Sequence, residues 1–254
     1  MSATVPRSFP AIPSVDAPLP GAATVSPVRV VRAFGVMLGG PLVLLAAVVA
    51  SAVHTALSLR RRRAPRAAAV GVLGAAAAYH RWALPWMRRW GATDAEVVMT
   101  LPGDEAIANP GLRQTRAVQV DAPPHAVWPW IAQIGQDRGG FYSYTWLENL
   151  AGCQMTNAHR IHPEWGHRAA GETVLLHPDS GLKMLEFDPG HGLVLEGGWS
   201  FALKADGPDS CRLIARFIAP LGATGTAYGL LLELPHFVME RKMLLEIKHR
   251  AQTT

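Results

Sequence analysis

The sequence predicts an α+β domain over residues 91–254 that follows an N-terminal transmembrane helix. Two observations predict this: an uncharged apolar run near the N-terminus, and a series of short strand-like runs between two helical regions further along. The chain has 254 residues, of which 49% are hydrophobic and 17% are charged. That charged fraction is below the roughly 25% of typical soluble domains, so a membrane segment is expected.

The net charge of +5 is unevenly distributed along the chain. Residues 1–90 carry eleven arginines and one acidic residue, Asp16, which gives +10, whereas residues 91–254 carry −5. A basic arm beside a mildly acidic domain favours contact with anionic lipid and argues against a nucleic-acid partner.

The N-terminal third divides into a tail and an apolar segment. Residues 1–32 are predicted to be a disordered tail, because six prolines lie in the first 27 residues and no apolar periodicity is present. Residues 33–59 contain no charged side chain and are long enough to cross a hydrocarbon core that takes about 20 helical residues. Four arginines follow directly at 60–63, as expected for the flank of a retained membrane anchor.

Residues 60–90 are predicted to be a juxtamembrane segment or a second membrane segment. Trp82, Trp86 and Trp90 recur every four residues among arginines, which is typical of an interfacial helix, and a packed aromatic stripe is the alternative. The positions of the arginines favour a single-pass protein of the cell membrane with a cytoplasmic domain. A second span within residues 60–90 instead places that domain outside.

The C-terminal region predicts a strand, two helices, an antiparallel meander and a long helix, in that order. A first strand over 113–120 leads to a helix for which Asp121 is the expected N-cap and in which Pro129 is expected to cause a kink or a restart. A second helix follows over 142–150. The remaining runs are strands over 172–176, 183–187, 193–196, 199–204 and 211–218, and a helix from 235 to about 250, where Met239, Met243 and Ile247 form one ridge.

Three segments of this region resemble the START-like (SRPBCC) superfamily, in particular its bacterial polyketide cyclase/dehydrase-like branch. They are DAPPHAVW at 121–128, GGFYSYTWLEN at 139–149 and PHFVMERKMLL at 235–245. The resemblance implies a helix-grip fold, in which a curved antiparallel sheet wraps a long C-terminal helix and leaves an apolar cavity. It implies no shared catalytic residues, so none are assigned, and no cofactor is expected.

The residues of such a cavity are the candidate ligand-binding site. Four aromatic residues within 141–146 suit the mouth of a pocket for an apolar ligand with one polar end, although core packing explains them equally well. Arg138 and Glu148 flank this cluster and either hold the polar end of a ligand or form an ion pair. The candidate residues are Trp130, Phe141, Tyr142, Tyr144, Trp146, Glu148, Met184, Trp199, Phe217, Met239 and Met243.

A metal site is not expected. His159, His162, Glu164 and His167 fall within nine residues, but their spacing fits no helical zinc motif, and a loop of solvated histidines is the preferred interpretation.

Two functions from different classes follow. The first is membrane-anchored binding or transport of a hydrophobic small molecule, a lipid or a polyketide-like compound. The alternative is a polyketide cyclase or dehydratase that uses the same cavity for proton transfer. A structural module with a vestigial pocket is a third interpretation.

Overall fold

The computed structural model describes residues 65–253. The tail and the apolar run predicted for residues 1–59 lie outside the described residues. Within the described part, no helix combines the length and the apolar character that a bilayer crossing requires.

Six strands form one curved antiparallel sheet in the order β1-β6-β5-β4-β3-β2. The α+β class and all six predicted strands are therefore confirmed, and the observed strands begin or end up to three residues away from the predictions. Their bounds are β1 (Pro110–Val120), β2 (Thr173–His177), β3 (Ser180–Asp188), β4 (Gly192–Leu195), β5 (Trp199–Ala205) and β6 (Cys211–Pro220).

Seven α-helices lie in the described part of the chain. The first passes through a π-helical turn, Tyr79–Ala83, into the second. Their bounds are α1 (Pro65–Ala78), α2 (Leu84–Arg88), α3 (Asp94–Val98), α4 (Pro124–Ala132), α5 (Thr145–Leu150), α6 (Ala223–Leu231) and α7 (Glu233–Thr253).

The start of α4 differs from the prediction. Asp121 does not cap the helix; the N-cap is Pro123, and no side chain accepts a hydrogen bond there. Pro124, the first helical residue, has no N–H, so one donor fewer needs an acceptor, and the Ala126 N–H donates to the Pro123 carbonyl oxygen at 3.0 Å. Asp121 instead lies 3.6 Å from the Lys248 ammonium of α7. The helix also continues through Pro129 and ends at Ala132, so of the two alternatives predicted for Pro129 the restart does not occur.

Helix α6 is absent from the predicted elements. Its sequence contains Gly225 and Gly229 and has no amphipathic pattern that could identify it. Gly225 lies directly against β6, because a Cβ there would stand 2.1 Å from the carbonyl oxygen of Pro220. Helix α6 therefore packs on the end of β6 by close backbone approach.

Helix α7 covers one face of the sheet and forms the main core with it. Met239, Met243 and Ile247 are buried among inward side chains such as Val118 and Leu213, which confirms the predicted ridge. Burying each such side chain contributes about 1.5–3 kcal/mol.

The opposite face of the sheet is covered by the segment that includes α3. There Leu101, Ala117 and Ile214 form a separate small cluster. The fully buried Arg216 guanidinium donates to the carbonyl oxygen of Met99 at 2.8 Å and pairs with Asp104 at 2.6 Å. Both faces of β6 are thus buried, and the main core with α7 lies on one of them.

Candidate functional site

A small cavity lies between β5, the segment that leads into α5, and α7. Its volume is about 10 Å³, which corresponds to about one water molecule. The cavity lies between the sheet and the C-terminal helix, and side chains nearly fill it, so the apolar ligand cavity expected there stays a prediction. The lining residues are Phe141, Ser143, Glu148, Trp199, His236, Met239, Glu240 and Met243.

Five of the eleven predicted site residues line this cavity: Phe141, Glu148, Trp199, Met239 and Met243. The rings of Phe141 and Trp199 stack with centroids 5.9 Å apart. The hydroxyl of Ser143 donates to the carbonyl oxygen of Met239 at 3.0 Å, which ties the segment before α5 to α7.

Trp130 and Tyr142 form a neighbouring packed pair rather than part of the lining. Their rings meet edge to face at 5.8 Å, and the Gln133 side chain donates to the Tyr142 hydroxyl at 2.8 Å. The Arg250 guanidinium lies 4.9 Å from the centre of the Tyr142 ring. Burial raises the pKa of Tyr142, so its hydroxyl stays protonated.

The other four predicted residues have separate surroundings. Tyr144 is half-buried beneath the Lys242 ammonium, and Met184 is a core residue of β3. The Phe217 ring stacks on that of Tyr228 at 4.5 Å. Trp146 is 59% exposed and does not line the cavity. The four clustered aromatic residues of 141–146 therefore have four different roles, which their spacing alone does not separate.

The backbone before α5 is held in an unusual conformation. Tyr142 has a φ of +53°, a left-handed value that bulky residues rarely adopt. The Asn157 side chain stabilises it by accepting from the Tyr142 N–H at 2.8 Å and by donating to the Ser143 carbonyl at 3.1 Å. Phe141 and Ser143 reach the cavity on either side of this residue, so Asn157 positions two lining groups.

Glu148 is the most unusual group of the site. Its residue is 1% exposed, and neither carboxylate oxygen has a hydrogen-bond partner within residues 65–253. Burial raises the pKa of Glu148 to about 7. Leaving a buried polar group unpaired costs about 1–3 kcal/mol, and native proteins contain few such groups. The ion pair considered for Arg138 and Glu148 does not form, because Arg138 lies 3.4 Å from Glu172.

Glu240 borders the same cavity, and both of its carboxylate oxygens accept hydrogen bonds. Arg116 donates to one carboxylate oxygen at 2.5 Å, and the Trp199 indole donates to the other at 2.7 Å. Burial by itself raises the pKa of Glu240, but the charges of Arg116 and His236 outweigh it and lower that pKa to about 2.

The buried polar network extends from Glu240 to the surface beside α2. Arg116 donates to the Gln114 side chain at 2.6 Å, and Gln114 donates to Glu233 at 2.8 Å. Arg88 closes the chain with hydrogen bonds of 2.6 and 3.0 Å to the two oxygens of Glu233. The network joins α2, β1 and α7 and fixes the position of the cavity wall.

The prediction of the site did not include Arg116, His236 or Glu240. One signal was present in the sequence. Arg116 shares an alternating face of the first strand with Val118 and Val120, and a charge on a core-facing position requires a buried partner. The partner, 124 residues further on, has no comparable local signal.

The two carboxyl groups at this cavity differ in what they can do. Near pH 6, Glu148 is a neutral acid that can donate a hydrogen bond or a proton, and Glu240 is an anion held by Arg116. Such separation of pKa values between neighbouring carboxyl groups is the arrangement from which acid and base roles are assigned in enzymes.

The histidine-rich loop does not form a metal site in the described residues. His162 lies 3.2 Å from Glu164, and its ring stacks on Trp165 with centroids 4.0 Å apart. Within residues 65–253, no group of three or more histidine, cysteine or acidic side chains is arranged to hold a metal ion. Cys153 and Cys211 are both buried thiols that form no disulfide.

Comparison with known proteins provides one weak structural similarity. No protein-family model and no curated protein matches the chain. A solved structure, a conserved protein of unknown function, EF2215, from Enterococcus faecalis, aligns with a TM-score of 0.30 and 12% identity over 58% of this chain and 86% of its own. A similarity this low carries no argument about fold family or function.

Proposed function

We propose that the domain binds an amphiphilic small molecule, with an apolar body, in a helix-grip cavity between the sheet and α7, and that Glu148 receives its polar end. One observation carries the proposal: Glu148 is buried against this cavity with both carboxylate oxygens unpaired in the described part of the chain. A ligand that accepts a hydrogen bond from the protonated carboxyl removes the cost of that unpaired group. The order of elements and the START-like sequence segments support the same cavity.

The ligand enlarges a cavity that is nearly closed in its absence. Pockets for small molecules usually have about 300–1,000 Å³, far more than the 10 Å³ present here. Met239 and Met243 border the cavity, and methionine adapts readily to irregular space. Helix α5 has few buried side chains, since Trp146 and Leu150 are 59% and 61% exposed. Outward movement of α5 and repacking of the two methionines make the room.

The proposal places the domain at the cell membrane, through the apolar run at 33–59 and with the arginines at 60–63 on the cytoplasmic side. Apolar ligands partition into lipid, so an anchored domain meets them at high local concentration. The proposed partners are therefore a hydrophobic small molecule and membrane lipid.

Native mass spectrometry of the full-length chain, released from nanodiscs after incubation with a total lipid extract, tests the binding function. We expect the protein to retain a ligand whose mass is the same as in the lipid extract. Glu148→Leu should retain about tenfold less of this ligand, because the polar end of the ligand loses one hydrogen bond. Glu186→Gln, at an exposed carboxyl on β3, is the matched control. Equal retention by the wild type and Glu148→Leu contradicts the proposal.

An enzymatic function is the second candidate, and the opposed pKa values of Glu148 and Glu240 favour it. A carboxyl with a pKa near 7 is suited to general acid–base catalysis. The same spectra separate the two functions, because an enzyme returns a ligand of altered mass. We expect Glu148→Gln to abolish such a change while it leaves binding in place, since the amide still donates a hydrogen bond but transfers no proton.

A further inference from the structure

One end of the molecule exposes an unusual number of large apolar side chains. They come from the helical segment before α3 and from the region of α6, which are more than 100 residues apart in sequence. We call these residues the apolar end: Trp82, Trp86, Leu221, Leu230, Leu231 and Leu234. Leu221 and Leu230 are 77% and 71% exposed, and Trp82 is 67% exposed.

Direct contacts bring the elements that carry these residues together. Helix α2 lies on the start of α7, where Arg88 binds Glu233 at 2.6 Å and Trp86 meets Phe237 with ring centroids 5.4 Å apart. Helix α6 leads straight into α7. A groove of about 470 Å³ between α2 and α6 is lined by Leu84, Leu221 and Leu230, among others.

The charge of this end matches an anionic lipid surface. Residues 220–232 contain no charged side chain, and residues 65–93 contain no acidic one. Arg81 is exposed beside Trp82. An apolar surface flanked by arginine and tryptophan is the composition of segments that lie in the membrane interface, and contiguous exposed apolar patches mark interaction sites.

Helix α1 leads into this end through the π-helical turn. Its described residues Gly71 and Leu73 to Ala77 are exposed. The uncharged run at 33–59 ends six residues before Pro65, and six residues reach about 20 Å at most. A membrane segment at 33–59 therefore keeps the start of α1 within about 20 Å of the bilayer.

We propose that the apolar end is seated on the lipid bilayer, with Leu221, Leu230 and Leu231 at the boundary of the acyl chains and Arg81 on lipid phosphates. The folded domain then has a fixed orientation on the membrane, which attachment through a flexible linker alone does not give. The proposal rests on the membrane location included in the proposed function, but it does not depend on ligand binding, because this surface is separate from the cavity at Glu148.

Site-specific fluorescence in nanodiscs that contain anionic lipid tests the orientation. The full-length chain carries an environment-sensitive label at Leu230→Cys, and a control label at Leu185→Cys on β3, near the opposite edge of the sheet. Cys153 and Cys211 are fully buried and do not compete for the label. We expect doxyl lipids to quench the Leu230 label more strongly than aqueous iodide does, and the reverse order for Leu185.

The outcomes against the proposal are distinct. If iodide quenches the Leu230 label as strongly as the Leu185 label, the surface is solvated and the proposal is wrong. Shielding from both quenchers, with cross-linking between Leu230→Cys of two copies, shows that a second copy covers the surface and also overturns it. Leu221→Cys repeats the measurement if the first variant does not fold. Glu148→Leu in the same chains leaves the quenching pattern unchanged, so a failure of ligand binding is recognised separately.

Discussion

Glu148 and Glu240 border one cavity, and their surroundings move their pKa values in opposite directions. Glu148 lies on α5 without a hydrogen-bond partner in the described residues, and burial raises its pKa to about 7. Glu240 lies on α7, where burial is outweighed by Arg116 and His236, and its pKa falls to about 2. The site therefore holds one neutral and one charged carboxyl group over a pH range that includes mildly acidic conditions.

Glu148 makes stability fall as pH rises. Its pKa is 4.5 in the unfolded chain and about 7 in the folded one, so between these values the folded state binds more protons and the free energy of unfolding decreases with increasing pH. Above pH 7, this effect lowers the free energy of unfolding by about 3 kcal/mol relative to its value below pH 4.5. We expect Glu148→Gln to unfold at nearly the same denaturant concentration at pH 5 and pH 8, whereas the wild type is less stable at pH 8. Parallel pH profiles for the two proteins contradict this assignment.

Removal of the Glu240 charge leaves the buried Arg116 guanidinium without its carboxylate partner. We expect Glu240→Gln to lower the free energy of unfolding by about 3–5 kcal/mol, as for other broken buried pairs. Glu246→Gln is the control, because Glu246 pairs with Lys242 and Arg250 at the partly exposed surface of α7, where a pair contributes about 0–1 kcal/mol. Chemical unfolding of both variants measures the difference, and similar losses for the two positions contradict the prediction.

Enlarging the cavity should increase ligand binding. Met243→Ala removes a buried side chain that lines the cavity, at a cost of about 2–5 kcal/mol in stability. Met184→Ala removes an equally buried methionine that does not line it. We expect a dansyl-labelled fatty acid to bind more tightly to Met243→Ala than to the wild type, and no gain in Met184→Ala, as measured by fluorescence titration. A similar gain in both variants indicates nonspecific loosening.

We expect an added methyl group to have opposite effects on stability at two glycines of α6. A Cβ at Gly225 stands 2.1 Å from the Pro220 carbonyl oxygen, whereas a Cβ at Gly229 meets only the Glu233 carboxylate, at 3.6 Å. We expect Gly225→Ala to destabilise the fold by about 1–3 kcal/mol through overpacking. Gly229→Ala should raise stability by up to about 1 kcal/mol through helix propensity. Thermal unfolding of both variants measures these effects. If the two substitutions destabilise the protein equally, the packing described for α6 is wrong.

The strands and α7 could be predicted because their buried residues recur with a regular period. In β6, Cys211, Leu213 and Phe217 face α7, while Arg212 and Arg216 face the segment with α3, as a period of two requires. The ridge of methionines in α7 was likewise visible at helical spacing. These patterns identify elements because the core imposes the same periodicity on the side chains that it buries.

The remaining features depend on contacts between distant parts of the chain. Helix α6 packs on β6 through the close approach of Gly225 to Pro220, and it has no amphipathic pattern that identifies it in the sequence. The pair of Arg116 and Glu240 joins positions 124 residues apart. The size of the cavity is set by how Phe141, Trp199 and the methionines fill it, and residue types alone do not determine that packing.

The position of β1 at the edge of the sheet determines the order in which the chain can fold. Strands β2 to β6 pair with their sequence neighbours and can form local hairpins as they leave the ribosome, but β1 pairs only with β6 among the described strands. Pairings between distant segments form slowly because loop closure precedes them. The main core also includes Ala251 of α7, so it is complete only after that helix has been synthesised. Strand β1 is thus synthesised long before its partner β6, so the sheet can close only after most of the domain has left the ribosome.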